Sequence, residues 1–511
     1  MRFFRKPLNA ACILALSVSG AVYSGVVLAD DASDAKKEIE ALKQQVNALM
    51  QKIEQLATKQ EATSAKQETL EAKSSSGGSS FLKDSEFYGN LDLSIDDTTK
   101  GLQSSYALGG SPVGRVGYMP AISTNLSYLG WRGKHGIGDD LDVVFQLETQ
   151  VDIAATAGTA NTNSNNDSTV KGALTSRNSF VGLASKSGGA VKIGKTDAPY
   201  KTSTARMNPF SGMIGDYSVV MGNTGGDNRV EFGTRIDHAI WYESPNMSGF
   251  TINALVSPGQ NRSTDNSLIA SGESSCAGGN VPGSGALPPS CNDGSFGSAY
   301  SASANFTTGP LYVTAAYELH KDVNRTSDLA NLDPRDVGDE RAAKIGIQYA
   351  FPTSTTVSAI YEDMKRKIPA DLEFQNERTR KGYWLALVQG LTSKDSLSFG
   401  WAHAKASPGD PGQHNTPGGA DPDNAANMYT VAYKHAFDKQ TTWYADWAMT
   451  VNHSAAHYDL GAGGRAVTTD CHDASQLAAF DPTTGAVTGN GPHCFAGGRL
   501  QGVSVGVNYK F

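Results

Sequence analysis

The groupings that could carry covalent or metal chemistry are few, and each fails on its surroundings. Gly502-Val503-Ser504-Val505-Gly506 matches G-x-S-x-G, a pattern that needs a sharp strand-to-helix elbow to expose its serine. Here Val503, Val505, Val507 and Tyr509 alternate with Ser504, Gly506, Asn508 and Lys510, so Ser504 sits on one face of a strand. Cys471-His472 and His493-Cys494 could offer two thiolates and two imidazoles to zinc, but the spacing is unlike zinc-finger ligand pairs and no metal site is assigned. No C-x-x-C-H occurs, which excludes c-type haem attachment. No cofactor and no enzymatic reaction are expected. What remains is fixed charge. Arg132, Arg177 and Lys192 lie in segments whose alternate residues are apolar, with Trp131, Phe180 and Ile193 on the opposite phase. That is the pattern of cations on a wetted wall, which sort solutes by charge.

The elements that would hold such charges follow from composition and period. The chain has 511 residues, 55 of them Gly, with 18% charged and a net charge of -8. Past the amino terminus no apolar run reaches the roughly 18 residues of a spanning helix, and an acidic chain advertises no nucleic-acid partner. Residues 1–29 read as a secretory signal peptide: Arg2, Arg5 and Lys6, an apolar stretch, then Val27-Leu28-Ala29 ahead of Asp30. The exported chain keeps Cys276, Cys291, Cys471 and Cys494. Four cysteines allow three pairings; Cys276 with Cys291 and Cys471 with Cys494 are favoured, because each pair lies within one Gly/Pro/Ser/Asn-rich loop.

Residues 30–73 carry a heptad seam, with Ile39, Val46 and Ile53 at one position and Leu42, Leu49 and Leu56 at the other. The seam predicts a short α-helical coiled coil, and a helix of this length is marginal alone, so it implies association. Residues 74–85, rich in Ser and Gly, read as a flexible linker. From residue 86 to 511 the period becomes two. About sixteen alternating segments begin near residues 86, 124, 141, 177, 189, 236, 249, 298, 311, 342, 355, 381, 395, 427, 441 and 500, many with aromatic residues at their ends. The expected fold is all-β, a 16-stranded antiparallel transmembrane β-barrel with short turns at one end and long loops at the other. A barrel of that size leaves a water-filled lumen.

Five pieces then resemble the trimeric general porins of Gram-negative outer membranes. Phe87-Tyr88-Gly89-Asn90-Leu91-Asp92 looks like that family's opening strand, and Ser127-Tyr128-Leu129-Gly130-Trp131-Arg132-Gly133 is similar to its second. Ser176 to Leu183 with Gly189 to Lys195 resemble the strand pair before its constriction loop, Tyr242 to Phe250 its next hairpin, and Phe511 its terminal aromatic. Tyr128 and Lys195 stand where the family usually has Arg, and the amino-terminal coil resembles coil-bearing porins of the DcaP-like group.

The resemblance implies a homotrimer in the outer membrane, surrounded by lipid and lipopolysaccharide, with the coil in the periplasm. It also implies that residues of about 196–229 fold into the lumen. That loop carries Lys201, Arg206, Asp216, Asp227 and Arg229, so a basic wall of Arg132, Arg177 and Lys192 is expected to face acidic Asp216 and Asp227 across the pore. The function implied is passive diffusion of small hydrophilic or charged solutes. Two other readings stand beside it: a channel preferring one substrate class, such as small organic anions, and a barrel-anchored tether whose coil touches periplasmic or cell-wall partners.

Overall fold

The computed structural model describes residues 84–101, 119–151, 153–154, 177–221, 232–258, 296–324, 335, 337–376, 378–409, 423–453, 456, 458, 460–461 and 499–511. The coiled-coil seam, the four cysteines, Asp227 and Arg229 lie outside them.

The alternating segments become strands because, in the membrane, every backbone amide must find a partner and only a closed sheet offers one to each. The strands are β1 (Ser85–Gly101), β2 in two pieces (Met119–Thr124 and Tyr128–Gly138), β3 (Leu141–Gln150) and β4 (Ser179–Ser185). β5 (Gly189–Asp197), β6 (Arg235–Glu243), β7 (Phe250–Ser257) and β8 (Ser298–Thr308) follow. The second half holds β9 (Leu311–Asn324), β10 (Val337–Ala350), β11 (Thr355–Lys367) and β12 (Arg380–Gly390). It ends with β13 (Asp395–Ala404), β14 (Ala426–Ala436), β15 (Thr441–Asn452) and β16 (Arg499–Lys510). Each strand pairs antiparallel with the next, and β1 closes the barrel on β16 from Asn90↔Lys510 to Gly101↔Arg499. The expected 16-stranded barrel is therefore present. The largest displacements in strand start, five residues each, are at β2, which begins at Met119 and not near 124, and at β10, which begins at Val337 and not near 342, because its first residues, Gly338 to Arg341, are polar and hide the alternation.

The break in β2 is a built feature. Both pieces pair with β1, while Leu126 between them has φ 52°, in the left-handed region. Asn125 holds the kink: its side-chain amide donates to Ser94 Oγ and Tyr444 Oη, each at 2.8 Å.

The phase of the sheet puts large apolar residues outward, Ile95 at 63% and Ile345 at 59% exposure, toward where lipid lies. Connections are short at one end, as at 309–310 and 351–354, and long at the other, as at 198–234. The short end is stitched by Asp140, whose carboxylate accepts from Ser185 Oγ (2.8 Å), Ser187 Oγ (2.5 Å) and the Lys186 amide (2.9 Å). These hydrogen bonds, Ser187's the strongest, lower its pKa to about 2.

The buried apolar residues lie inside the barrel. The loop from 198 to 234 leaves β5 as a short helix, α1 (Pro199–Thr204), tightens into a turn at Ala205–Met207, and forms α2 (Ser218–Met221). Proline at the first helical position gives up an amide that would have lacked a partner. Met207, Phe210, Met213, Val220 and Met221 pack on Tyr312, Ile360, Trp384, Ala402, Met428 and Tyr444 of the inner wall. Inward-facing small residues make room. A Cβ on Gly346 would stand 2.8 Å from Met207 Sδ, and one on Gly382 2.9 Å from Met221 Sδ.

Candidate functional site

The described part of the loop, residues 198–221 and 232–234, is fastened at its neck and at successive points on the wall. At its neck, Asp197 receives Lys201 at 2.8 Å and Arg235 at 3.2 Å, tying the outgoing strand to the returning one. The chain then crosses the lumen. Tyr200 donates its hydroxyl to Glu362 at 2.7 Å, and burial, reinforced by that carboxylate, holds the phenol well above its usual pKa and so protonated. Lys344 Nζ donates to Thr204 Oγ1 at 2.8 Å, and Trp384 Nε1 to the Met207 carbonyl at 3.0 Å. Lys434 reaches the Pro209 carbonyl at 2.5 Å, and Arg380 the carbonyls of Val220 and Met221 at 2.6 and 2.7 Å. Ile214, near the far end of this path, is buried with Ala448, Leu460 and Leu500. The start of the last long loop braces it there: a Cβ on Gly461 would lie 2.5 Å from the Asp216 backbone. A loop pinned on this many strands holds a fixed position inside the barrel.

The basic side chains on the near wall are held in ordered positions. Arg132 projects from β2 with Nε 2.6 Å from Glu86 Oε1 and its guanidinium 4.5 Å over the Tyr88 ring. Arg177 repeats the arrangement, with Nε 2.5 Å from Glu148 and its guanidinium 4.6 Å over Tyr128. Tyr88 Oη donates to Glu148 at 3.0 Å, and the two tyrosine rings meet edge to face at 6.1 Å. Planar guanidinium groups stack on such rings without losing their donors. Lys192 donates to Glu243 at 2.7 Å and lies 4.7 Å over Phe180. Tyr128, in place of the expected Arg, supplies a stacking surface. It was not among the site residues read from sequence, although its position in the second-strand motif marked it.

Two readings of phase change. Phe180 packs inside the barrel, edge to face with Trp241 at 5.3 Å, while Val181 takes the outward position. Arg177 faces Glu148 for a different reason: it precedes β4 and is not bound by the strand's alternation.

On the loop, α1 buries Tyr200, Ser203 and Thr204 and leaves Lys201 exposed. Arg206 follows on the same open side, its Nε 2.9 Å from Gln348 Oε1 and its guanidinium 4.4 Å over Tyr312. Asp216, expected to supply acidity toward the basic wall, is spent inside the loop. It accepts from Asn208 Nδ2 at 2.8 Å, the Gly212 amide at 3.1 Å and the Ser218 amide at 3.0 Å. Bending the chain into a compact lobe leaves amides that only a local carboxylate can satisfy. Among the described residues the open face of α1 and its following turn is therefore basic.

A sequence model of a family described as Gram-negative porin matches residues 64–455. An outer membrane porin protein of Bordetella pertussis is 24% identical over 235 residues, which are 45% of this chain and 52% of that protein, so the chain spans about half the length of this curated relative. Among solved structures, the anion-selective porin of Comamonas acidovorans aligns with a TM-score of 0.54 at 17% identity, over 84% of this chain and 99% of that one. OmpF of Salmonella typhi, in complex with daunomycin, aligns with a TM-score of 0.50 at 14% identity, over 84% and 97%.

Proposed function

The chain belongs to the Gram-negative porin family, and from that premise we propose that it is an outer-membrane channel for passive diffusion of small hydrophilic or charged solutes, with a preference for anions. The observation that carries the preference is the open face of the constriction loop. Among the described residues, Lys201 shares a single carboxylate, Asp197, with Arg235, and Arg206 is held by the neutral Gln348. On the wall, Arg132, Arg177 and Lys192 are matched by Glu86, Glu148 and Glu243, so the surplus lies on the loop. Charges in a narrow pore with low-dielectric walls act with little screening and set which ion enters. The Comamonas porin's anion selectivity agrees with this sign.

The barrel works as a homotrimer, with outer-membrane lipid and lipopolysaccharide around it. The signal peptide of residues 1–29, the periplasmic coil of 30–73, and the disulfides Cys276 to Cys291 and Cys471 to Cys494 complete the proposal, as do Asp227 and Arg229 as further charges of the loop.

Reversal potentials across a salt gradient test the reading. The parent channel is expected to favour anions, and Lys201→Gln with Arg206→Gln to move the potential toward cations. The shift should shrink at about 1 M salt, where the screening length is about 3 Å. A parent channel that favours cations, or a double variant with the parent's potential at low salt, overturns the anion preference.

A further inference from the structure

Arg206 is held in orientation as well as in place. Tyr312 on β9 and Gln348 on β10 stand directly opposite each other in the register, and both are buried on the inner wall. The Tyr312 ring is the floor, 4.4 Å from the Arg206 guanidinium, and its hydroxyl donates to the Ser203 carbonyl at 2.6 Å. Gln348 is the side. Its Oε1 accepts from Arg206 Nε at 2.9 Å, while its Nε2 donates to the Arg206 carbonyl at 3.1 Å and to Ser358 Oγ on β11 at 2.9 Å. One amide thus grips both the side chain and the backbone of a single loop residue, and a neighbouring strand steadies the amide.

Arg206 itself is exposed. Because everything that holds it lies inside the barrel, that exposure is to the lumen. With one face of the guanidinium on the ring and the Nε edge on Gln348, the outer edge of Nη1 and Nη2 is turned to the pore, and among the described residues no acceptor bonds either nitrogen. Two N–H bonds run parallel from that edge, at a spacing that matches two oxygens on one planar centre. A halide meets the same edge as a point charge. The side chain is already ordered, so capturing an anion there costs little further rotamer freedom. Lys201, exposed on α1, offers a compact ammonium that attracts small anions of any shape.

We propose that Arg206, positioned by Tyr312 and Gln348, makes the channel prefer planar oxyanions, with two oxygens on one trigonal centre, over spherical halides of the same charge. Lys201 and Arg206 together set the sign of the ion, and the held fork of Arg206 reads its shape. Tyr312 and Gln348 are positioning residues that act through the guanidinium. The inference rests on the anion preference above.

The test is the bi-ionic reversal potential of the full chain in planar bilayers, with formate, nitrate, chloride and iodide as probe anions and one common cation. Formate separates shape from hydration, since it is planar but strongly hydrated, whereas iodide is spherical and sheds water easily. Relative to their mobilities in water, the parent is expected to pass formate about threefold more readily than iodide, the scale of an exposed ionic contact, and nitrate more readily than chloride. Arg206→Lys removes the fork and keeps a cation, while Gln348→Leu and Tyr312→Leu release the guanidinium. Each should bring the formate-to-iodide ratio to the mobility value, and Tyr312→Phe, which keeps the ring, should retain the parent ratio. Iodide above formate in the parent, or the parent ratio in Arg206→Lys, overturns the proposal. Loss of the ratio in Tyr312→Phe overturns the stacking role by assigning the effect to the hydroxyl anchor. If the Gln348 and Tyr312 variants do not fold, the parent and Arg206→Lys still decide. A parent that favours anions over cations but sorts them by hydration removes the shape filter alone, and a parent that favours cations removes the anion preference beneath it.

Discussion

Trp384→Ala should loosen the constriction while leaving the barrel intact. The indole is wholly buried, donates to the Met207 carbonyl at 3.0 Å, and meets Phe210 edge to face at 6.0 Å and Tyr217 at 4.8 Å. Removing a buried tryptophan costs about 3–5 kcal/mol, of which the hydrogen bond is about 1. The high end applies here, because the surrounding wall is Ala386, Ala402 and Gly400 and offers no side chain to swing into the hole. With every 1.4 kcal/mol worth tenfold, the population of loop released at this point rises about 10³- to 10⁴-fold. β12 stays laddered to β11 and β13 on both sides, so heat resistance of the barrel should change little. Single-channel recording reads the difference: a larger mean conductance with rapid flicker in Trp384→Ala, and near-parent behaviour in Trp384→Phe, which keeps the ring. A quiet Trp384→Ala channel of parent conductance would refute the claim that this contact seats the loop. A variant barrel that melted far earlier would place the residue's role in the wall.

Asp216→Asn should cost about 2 kcal/mol in loop order, through its weakened bonds to Asn208, Gly212 and Ser218, and show as channel noise with little change in reversal potential. Gly461→Val drives a side chain into the Asp216 backbone 2.5 Å from the Cβ position; the bracing segment should be displaced, and the conductance altered, without loss of the barrel. Asp140 has its folded pKa lowered to about 2, so the stability it adds is complete above the unfolded value near 3.8 and is lost as pH falls from there through about 2. The heat resistance of Asp140→Ala should therefore fall below the parent's at pH 7 and converge with it at pH 2, followed by gel shift of heated samples.

Much of the fold was legible because a strand in a membrane has a period of two and one compulsory apolar face. Val503, Val505 and Val507 against Ser504 and Gly506 state both direction and phase, and the same rule turned Lys192 and Arg132 inward. The number of strands followed from counting such runs, since closure requires each to pair. The rule fails where the chain leaves the ladder. Arg177 lies before β4 and Leu126 in a kink, so neither obeys its neighbours' parity. The inward phase also need not be polar: Phe180, Trp384 and Met428 face in because another part of the chain covers them, and alternation cannot distinguish a lipid-covered face from a loop-covered one. Asp216 shows the same limit from the polar side, as its charge was plain in the sequence while its partners are amides of its own loop. Local periodicity is set by the geometry of one strand and can be read along it. Which surface is wet, and which charge is left to face the pore, depends on where a loop of 37 residues (198–234) comes to rest against strands that follow it by a hundred to more than two hundred positions, and only the folded barrel decides that.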